Sequence, residues 1–222
     1  MPTPSVPRRS FLTKLAAGAA VAPALPVLGC ATPQSATPAA TLDEVETWFA
    51  SMTGAHKIIY DCTHPSGGPD GILYARNFMT LGQEKLGTTD ADMSVIISFR
   101  HLATPYGYND AMWAKYPQFA SLLKVEDPKT RMPAARNVPM QDEVMGFAGA
   151  SLQALAARGV KFTVCGAATT FLASLIAGKD GNATAIEEEL TANLIPSARA
   201  VPAGVVGLQR AQKAGFAYTF AG

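Results

Sequence analysis

Short apolar runs of strand length alternate with helical patterns along most of this chain, and this alternation constrains the fold more than any other feature. The run 93–99 is the clearest, because it is apolar almost throughout, as in a strand buried on both faces. Runs at 56–62, 160–165, 199–201 and 216–220 complete five predicted strands, with helical spacing between them and glycines at helix ends. The pattern predicts a single α/β domain of three layers, α/β/α, around a mostly parallel five-stranded sheet.

The N-terminus is predicted to be a targeting signal rather than part of the fold. The pair Arg8-Arg9 precedes a mildly apolar, alanine-rich stretch over residues 15–28 that two prolines interrupt. This pattern resembles a twin-arginine signal peptide, residues 1–30, whose substrates cross the membrane already folded. We therefore expect export to the periplasm. The alternative is a basic tail with a chance arginine pair.

Two processing routes remain open at the end of this signal. Residues 27–30 resemble a lipobox in which Cys30 is lipidated, although Leu28 is bulkier than that pattern usually has. A soluble product cut within 31–40 is the alternative, so the membrane is involved only through the signal or a lipid anchor. Residues 31–41, rich in Ala, Thr and Pro, are predicted to be a flexible tether before a domain spanning 42–222.

Charge and cysteine content exclude several classes of protein. The formal net charge is +1, which provides no field that favours nucleic acid, and we expect no nucleic-acid partner. The three cysteines, Cys30, Cys62 and Cys165, make no disulfide framework and no pair has metal-ligand spacing, so no metal is expected. Residues 67–71 lack the spacing of a dinucleotide-binding loop, and no cofactor is expected.

The segment 100–139 departs from the alternation. It is rich in proline and aromatic residues and shows little regular pattern, which is typical of an insertion with a functional or lid-like role. The aromatic cluster around Trp113 is expected to pack the segment down rather than to stack a ligand.

Reactive side chains follow three of the predicted strands. Cys62 ends the first strand and His64 follows it, Arg100 and His101 follow the second, and Cys165 ends the third directly before a helix. Because ligands bind at the carboxyl ends of parallel strands, these residues are the candidate site.

Cys165 is the candidate catalytic residue. A thiol before the first turn of a helix faces unpaired backbone N–H groups and the positive end of the helix dipole, which favour the thiolate. Gly166 lets the chain turn tightly beside it. The alternative is an inert cysteine buried at a strand end.

The other candidates are substrate-binding residues with open alternatives. Cys62 and His64 would form a thiol–imidazole pair, although a structural role is favoured for a pair two residues apart. Arg100 and His101 would bind an anionic or sulfur-bearing ligand, and a solvated strand end is the alternative.

Three segments, 158–166 (RGVKFTVCG), 199–206 (RAVPAGVV) and 209–218 (QRAQKAGFAY), resemble the DsrE/DsrF-like family. The resemblance extends more loosely to 56–62, to the helix through 76–77 and to 95–101. It implies a three-layer α/β/α domain with a parallel sheet, and a homo-oligomer. It also implies sulfur relay, in which a cysteine at the position of Cys165 accepts a sulfane sulfur as a persulfide and passes it on.

Two features depart from the family pattern: classical family members are cytoplasmic, whereas this chain is predicted to carry an export signal, and the segment 100–139 is enlarged. Three functions therefore stay open. The first is a sulfurtransferase or sulfur carrier using Cys165, with a sulfur donor or acceptor protein or a small sulfur compound as its partner. The second is a non-catalytic binding module, and the third is a dithiol redox protein using Cys62 and Cys165, should their Cα atoms lie within about 7 Å.

Overall fold

The protein is described by a computed structural model that covers residues 40–222. The predicted signal peptide, the lipidation candidate Cys30 and most of the predicted tether lie outside these described residues. Within 40–222, no helix combines the length and the apolar character needed to cross a membrane.

Five strands and eight α-helices make up the described part of the chain. The strands are β1 (His56–Cys62), β2 (Met93–Phe99), β3 (Lys161–Cys165), β4 (Ala198–Val201) and β5 (Ala217–Ala221). The helices are α1 (Leu42–Ala50), α2 (Gly67–Leu86), α3 (Asp110–Lys115), α4 (Gln118–Leu123), α5 (Leu152–Ala157), α6 (Gly166–Ala177), α7 (Ala183–Ala192) and α8 (Gly204–Lys213).

All five strands lie in one parallel sheet with the order β4-β3-β2-β1-β5. The predicted fold class is confirmed, and the sheet is parallel throughout. β2 lies in the middle, which explains why all seven of its residues are buried. At the carboxyl edge Cys62 pairs with Phe99, and Cys165 pairs with Val201.

Side chains alternate between two cores, one on each face of the sheet. Tyr60, Ile97 and Val164 belong to the core beneath α2, α5, α6 and α7. Ile59 and Val201 belong to the smaller core beneath α1 and α8. The three predicted layers are thus α1 with α8, the sheet, and the layer formed by α2, α5, α6 and α7.

The connections after β3 and β4 leave the sheet on opposite faces. α6 follows β3 and packs in the larger core, whereas α8 follows β4 and packs in the smaller one before the chain reaches β5 at the far edge. Since β3 and β4 are neighbours, a crevice opens between their carboxyl ends. Such a topological switch point is where open α/β sheets bind ligands.

Two predicted boundaries were wrong. The helix predicted from Met145 to Arg158 begins only at Leu152, because Met145 has φ 52° and Gly146 and Gly149 are also left-handed. The loop predicted to reach Asp70 instead enters α2 at Gly67. Pro69 is tolerated there because the first turn of a helix does not need its N–H groups for internal bonds.

The segment 100–139 is more regular than its sequence predicted, since it contains α3, α4 and two 3₁₀ turns. Its aromatic cluster packs it down, as expected: Trp113 is fully buried and its Nε1–H donates to the carbonyl of Pro105 at 2.9 Å. Asn137 is also fully buried and donates to the carbonyls of Tyr106 and Tyr108 at 2.8 Å each. These hydrogen bonds tie the segment together internally, and Tyr106, Tyr108 and Trp113 belong to the larger core.

Candidate functional site

Cys165 lies at the crevice between β3 and β4, where it ends β3 and caps α6. Its sulfur accepts hydrogen bonds from the backbone N–H of Ala168, the third residue of α6, at 3.4 Å and from that of Gly204, the first residue of α8, at 3.1 Å. Two helix N-termini therefore converge on one sulfur atom. Because each carries a partial positive charge, the arrangement favours negative charge on that sulfur.

Two glycines permit this convergence. A Cβ atom on Gly166 would lie 2.9 Å from the carbonyl oxygen of Val201 and 3.0 Å from that of Pro202. A Cβ atom on Gly204 would lie 2.6 Å from the Cβ of Arg100. Any side chain at either position would push apart the strand ends that bring the two helices to Cys165.

Arg100 lies against Gly204, whose N–H group donates to this sulfur, and it is held by a buried carboxylate. Its Nε donates to Asp61 Oδ1 at 2.7 Å and its Nη2 to Oδ2 at 2.8 Å, a bidentate ion pair. The Asp61 side chain is fully buried, whereas that of Arg100 is 25% exposed. The pKa of Arg100 is raised, chiefly because it donates to Asp61 and further by the charge of that carboxylate, while burial opposes the rise.

Tyr218, on β5, provides a further hydrogen bond to Asp61. Its hydroxyl donates to Oδ2 at 2.9 Å. The pKa of Tyr218 is raised by burial first and by this hydrogen bond second, so the phenol stays protonated as a donor. Asp61 and Tyr218 were not among the residues that the sequence singled out. An acidic residue within the buried second half of β1 (IYDC) is the signal that would have found Asp61.

A cavity of about 320 Å³ opens onto Cys165 between the starts of α6 and α8. Cys165 is only 7% exposed, so the cavity is the route to its sulfur. The residues around it come from the end of β2, from α6 and from the start of α8, and besides Cys165 they are Arg100, His101, Leu102, Ala167, Ala168, Phe171, Leu172, Ala203, Gly204 and Val205.

The structure brings three of the five predicted site residues together, since Cys165, Arg100 and His101 all line this cavity. His101 is exposed and has a left-handed backbone with φ 53°. Apart from Arg100, His101 and Leu102, the segment 100–139 does not line the cavity.

Cys62 and His64 do not line it. Cys62 is fully buried on the opposite face of the sheet, beneath Gly71 of α2. Burial raises the pKa of the Cys62 thiol well above its ordinary value, and the charges of Asp61 and Asp70 reinforce this. The His64 ring is turned toward Thr63, 2.7 Å from Nδ1 to Oγ1, and packs edge-on against Phe220.

The geometry contradicts the closeness that the dithiol alternative required. Cys62 pairs with Phe99 and Phe99 pairs with Val164, so β2 separates the two cysteines. Neighbouring strands lie about 4.8 Å apart, which sets the Cα atoms of Cys62 and Cys165 roughly 10 Å apart. That separation exceeds the reach of about 7 Å for a disulfide. Both cysteines are free, and their side chains lie on opposite faces.

Comparisons of the chain with protein-family models, with curated proteins and with solved structures found no match. Among residues 40–222, no group of three or more His, Cys, Asp or Glu side chains is arranged to hold a metal ion. The fold and the crevice at Cys165 therefore carry the functional argument.

Proposed function

We propose that this protein is an exported, DsrE-like sulfur-handling protein in which Cys165 carries a sulfane sulfur as a persulfide. The observation that carries the proposal is the environment of the sulfur. It accepts one backbone hydrogen bond from α6 and one from α8, and Cys165 lines a cavity. The thiolate is the nucleophilic form of cysteine, and these N–H groups point at the atom that would carry its charge.

The chemical step is a sulfur transfer without net oxidation. The Cys165 thiolate, having released its proton to solvent, attacks the sulfane sulfur of a donor. A bond forms between Sγ and that sulfur, and the bond between the sulfur and its leaving group breaks, with the electron pair departing on the leaving group. An acceptor thiolate then removes the outer sulfur and restores the Cys165 thiolate. Arg100 and His101 line the space that the outer sulfur would occupy.

The partner of this chemistry is a sulfur donor or acceptor, either a protein or a small sulfur compound. The family resemblance also leads us to propose a homo-oligomer. Light scattering on the purified protein measures its mass directly, and a mass equal to one chain would contradict this part of the proposal.

Intact mass spectrometry tests the persulfide. The full chain carrying Cys30→Ser is incubated with polysulfide beside the same chain with Cys165→Ser added, so that Cys62 is common to both. We expect a gain of one sulfur atom that reductant reverses and that requires Cys165. An adduct that persists without Cys165 would assign the chemistry to Cys62 and contradict the proposal.

A non-catalytic binding module is the second candidate, and the low exposure of Cys165 beneath a largely apolar cavity favours it. In such a module Cys165 is only part of the wall. Absence of any sulfur adduct, while alkylation with a small reagent still reaches Cys165, would favour this candidate over sulfur transfer.

Export by the twin-arginine route has a separate test. Replacing Arg8 and Arg9 with lysine is expected to leave uncleaved precursor in the cytoplasm, because the route reads the arginine pair. Cell fractionation measures the distribution, with the unaltered chain as the control. Normal export of the lysine variant would remove this part of the proposal.

A further inference from the structure

The arginine charge at the cavity is already balanced by a buried carboxylate. Of the lysines and arginines in the described residues, Arg100 is the one that lines the cavity. Two of its nitrogens are bound to the fully buried Asp61, and the pair contributes no net charge. Bringing a doubly charged anion into such a site removes its hydration, and only the exposed His101 and the backbone N–H groups at the starts of α6 and α8 remain to offset its charge.

The remaining walls of the cavity are mostly apolar. Leu102, Ala167, Ala168 and Leu172 line it, and Phe171 and Val205 also contribute, although they are 62% and 60% exposed. Large apolar side chains are normally withdrawn from water, so two such side chains at one cavity provide an apolar surface that a ligand's apolar group would cover.

We propose that the cavity selects sulfane-sulfur donors with an apolar leaving group and at most one negative charge, and that it discriminates against thiosulfate. The inference rests on the proposed persulfide chemistry and adds its substrate class. Organic thiosulfonates, R–SO₂–S⁻, represent the favoured class, because they hold the same transferable sulfur as thiosulfate on a singly charged anion.

The two donor classes undergo the same reaction. With a thiosulfonate, the Cys165 thiolate forms a bond to the terminal sulfur, the bond from that sulfur to the sulfonyl group breaks, and a sulfinate leaves with the electron pair. With thiosulfate the leaving group is sulfite. In both cases the product is the Cys165 persulfide anion and the total charge is unchanged, so the donors differ only in charge and in the group R.

The test compares three donors: thiosulfate, methanethiosulfonate and benzenethiosulfonate. Rates of adduct formation on the full chain with Cys30→Ser are measured by intact mass and divided by the rates for N-acetylcysteine, which corrects for intrinsic reactivity. We expect a corrected preference of about tenfold or more for the benzene over the methane donor, because the ring is buried against the apolar wall. We expect thiosulfate to be slower than both.

Variants on α6 separate the cavity from a general effect of the helix. Phe171→Ser, at the cavity, removes part of the apolar surface that the benzene ring would contact. It is expected to reduce the preference for the benzene donor by about threefold or more. Leu175→Ser removes a side chain that is 51% exposed one turn further along α6 and does not line the cavity. It is expected to leave the preference unchanged.

Failure of this inference and failure of persulfide chemistry have different signatures. Corrected rates that are equal for all three donors would overturn the substrate class while leaving the persulfide in place. If no donor modified Cys165, persulfide chemistry would be overturned. Calorimetry would then decide the ligand class by measuring how tightly the Cys165→Ala chain binds benzenesulfonate, methanesulfonate and sulfate. Tightest binding of benzenesulfonate would support that class, and equal binding would overturn it.

Discussion

Asp61 would be an isolated buried charge at the end of β1 without Arg100 and Tyr218. Three hydrogen bonds from these two side chains satisfy its carboxylate oxygens. The same bonds hold the aliphatic part of Arg100 against Gly204, whose N–H group donates to the Cys165 sulfur. A residue that never touches the cavity thus positions the residues that line it.

Asp61→Asn tests this role. The substitution leaves Arg100 without its anionic partner in a mostly buried site, and we expect a loss of about 3 kcal/mol in the free energy of unfolding. Urea denaturation followed by circular dichroism measures the loss.

Asp90→Asn is the matched control, since Asp90 also pairs with an arginine, Arg158, but has a side chain that is 36% exposed. We expect it to lose about 1 kcal/mol or less, as exposed ion pairs do. Equal losses in the two variants would contradict the importance of burial. Where Asp61→Asn stays folded, the freed Arg100 is expected to accelerate reaction with thiosulfate.

The starts of α6 and α8 form the central element of the site. Val201 lies opposite Cys165 in the register, and the N–H of Ala167 donates to the carbonyl of Pro202 at 3.0 Å. The Thr169 hydroxyl also donates to the Cys165 carbonyl at 2.9 Å, which secures the first turn of α6. The two helix starts are therefore joined through the strand ends.

Gly166→Ala tests this element. The new Cβ would press on the carbonyl oxygens of Val201 and Pro202, which are backbone atoms with little freedom to move. We expect a loss of about 1–3 kcal/mol in the free energy of unfolding, despite the better helix propensity of alanine. We also expect slower alkylation of Cys165, measured by intact mass in the chain with Cys30→Ser.

Gly207→Ala, within α8, is the matched control. Its Cβ would lie 3.1 Å from a methyl group of Val201, and a side chain yields more easily than backbone. Stability close to that of the unaltered chain is expected. A larger loss here than at Gly166 would show that helix crowding, rather than the junction of the two strand ends, determines the effect.

At the scale of the whole molecule, the larger core holds most of the buried aromatic residues and Cys62, whereas the Cys165 sulfur lies outside it. Tyr106, Tyr108 and Trp113 lie in the larger core, fully or almost fully buried with Cys62. The sulfur of Cys165 points away from that core toward Gly204 of α8, at the crevice between α6 and α8 where the cavity opens. The buried thiol of Cys62 and the buried phenols of Tyr106 and Tyr108, whose ionisation would place a charge in an apolar core, thus lie on one side of the sheet.

This arrangement predicts an alkaline limit to stability. Burial raises the pKa of Cys62, Tyr60, Tyr106 and Tyr108 in the folded protein above the values of the unfolded chain. Stability is therefore complete below the ordinary cysteine pKa of about 8.5 and falls as the pH rises further, by at most about 1.4 kcal/mol per pH unit for each group. Urea midpoints at pH 7, 9, 10 and 11 measure the decline.

Cys62→Ala provides the comparison for this decline. The variant lacks a thiol that ionises near pH 8.5 in the unfolded chain but stays protonated to higher pH in the folded protein. Its stability is therefore expected to fall less than that of the unaltered chain between pH 8.5 and 10. Parallel curves for the two proteins would show that Cys62 ionises as easily in the folded state as in the unfolded one.

Most of the fold and part of the site could be predicted from local patterns. The apolar strands, the parallel sheet and the placement of Cys165 before a helix follow from periodicity and from glycine positions, which depend on neighbours in the chain. Asp61 and Tyr218 were missed because they are 157 residues apart, and only strand pairing brings them together. The predicted helix start at Met145 was wrong because Met145, Gly146 and Gly149 have left-handed backbones, which a helix cannot include, although the local apolar spacing is helical.

Which residues form strands, and that Cys165 ends one of them directly before a helix, was determined by the sequence alone, because alternation and helix ends are local properties of the chain. Tertiary structure decided that β4 lies beside β3, that α8 covers the face to which Cys165 points, and that Cys62 lies on the other face. The sulfur consequently meets the N–H of Gly204 from 39 positions away. Such contacts depend on strand order and on the face each crossover takes, which are set by the burial of whole layers rather than by neighbouring residues.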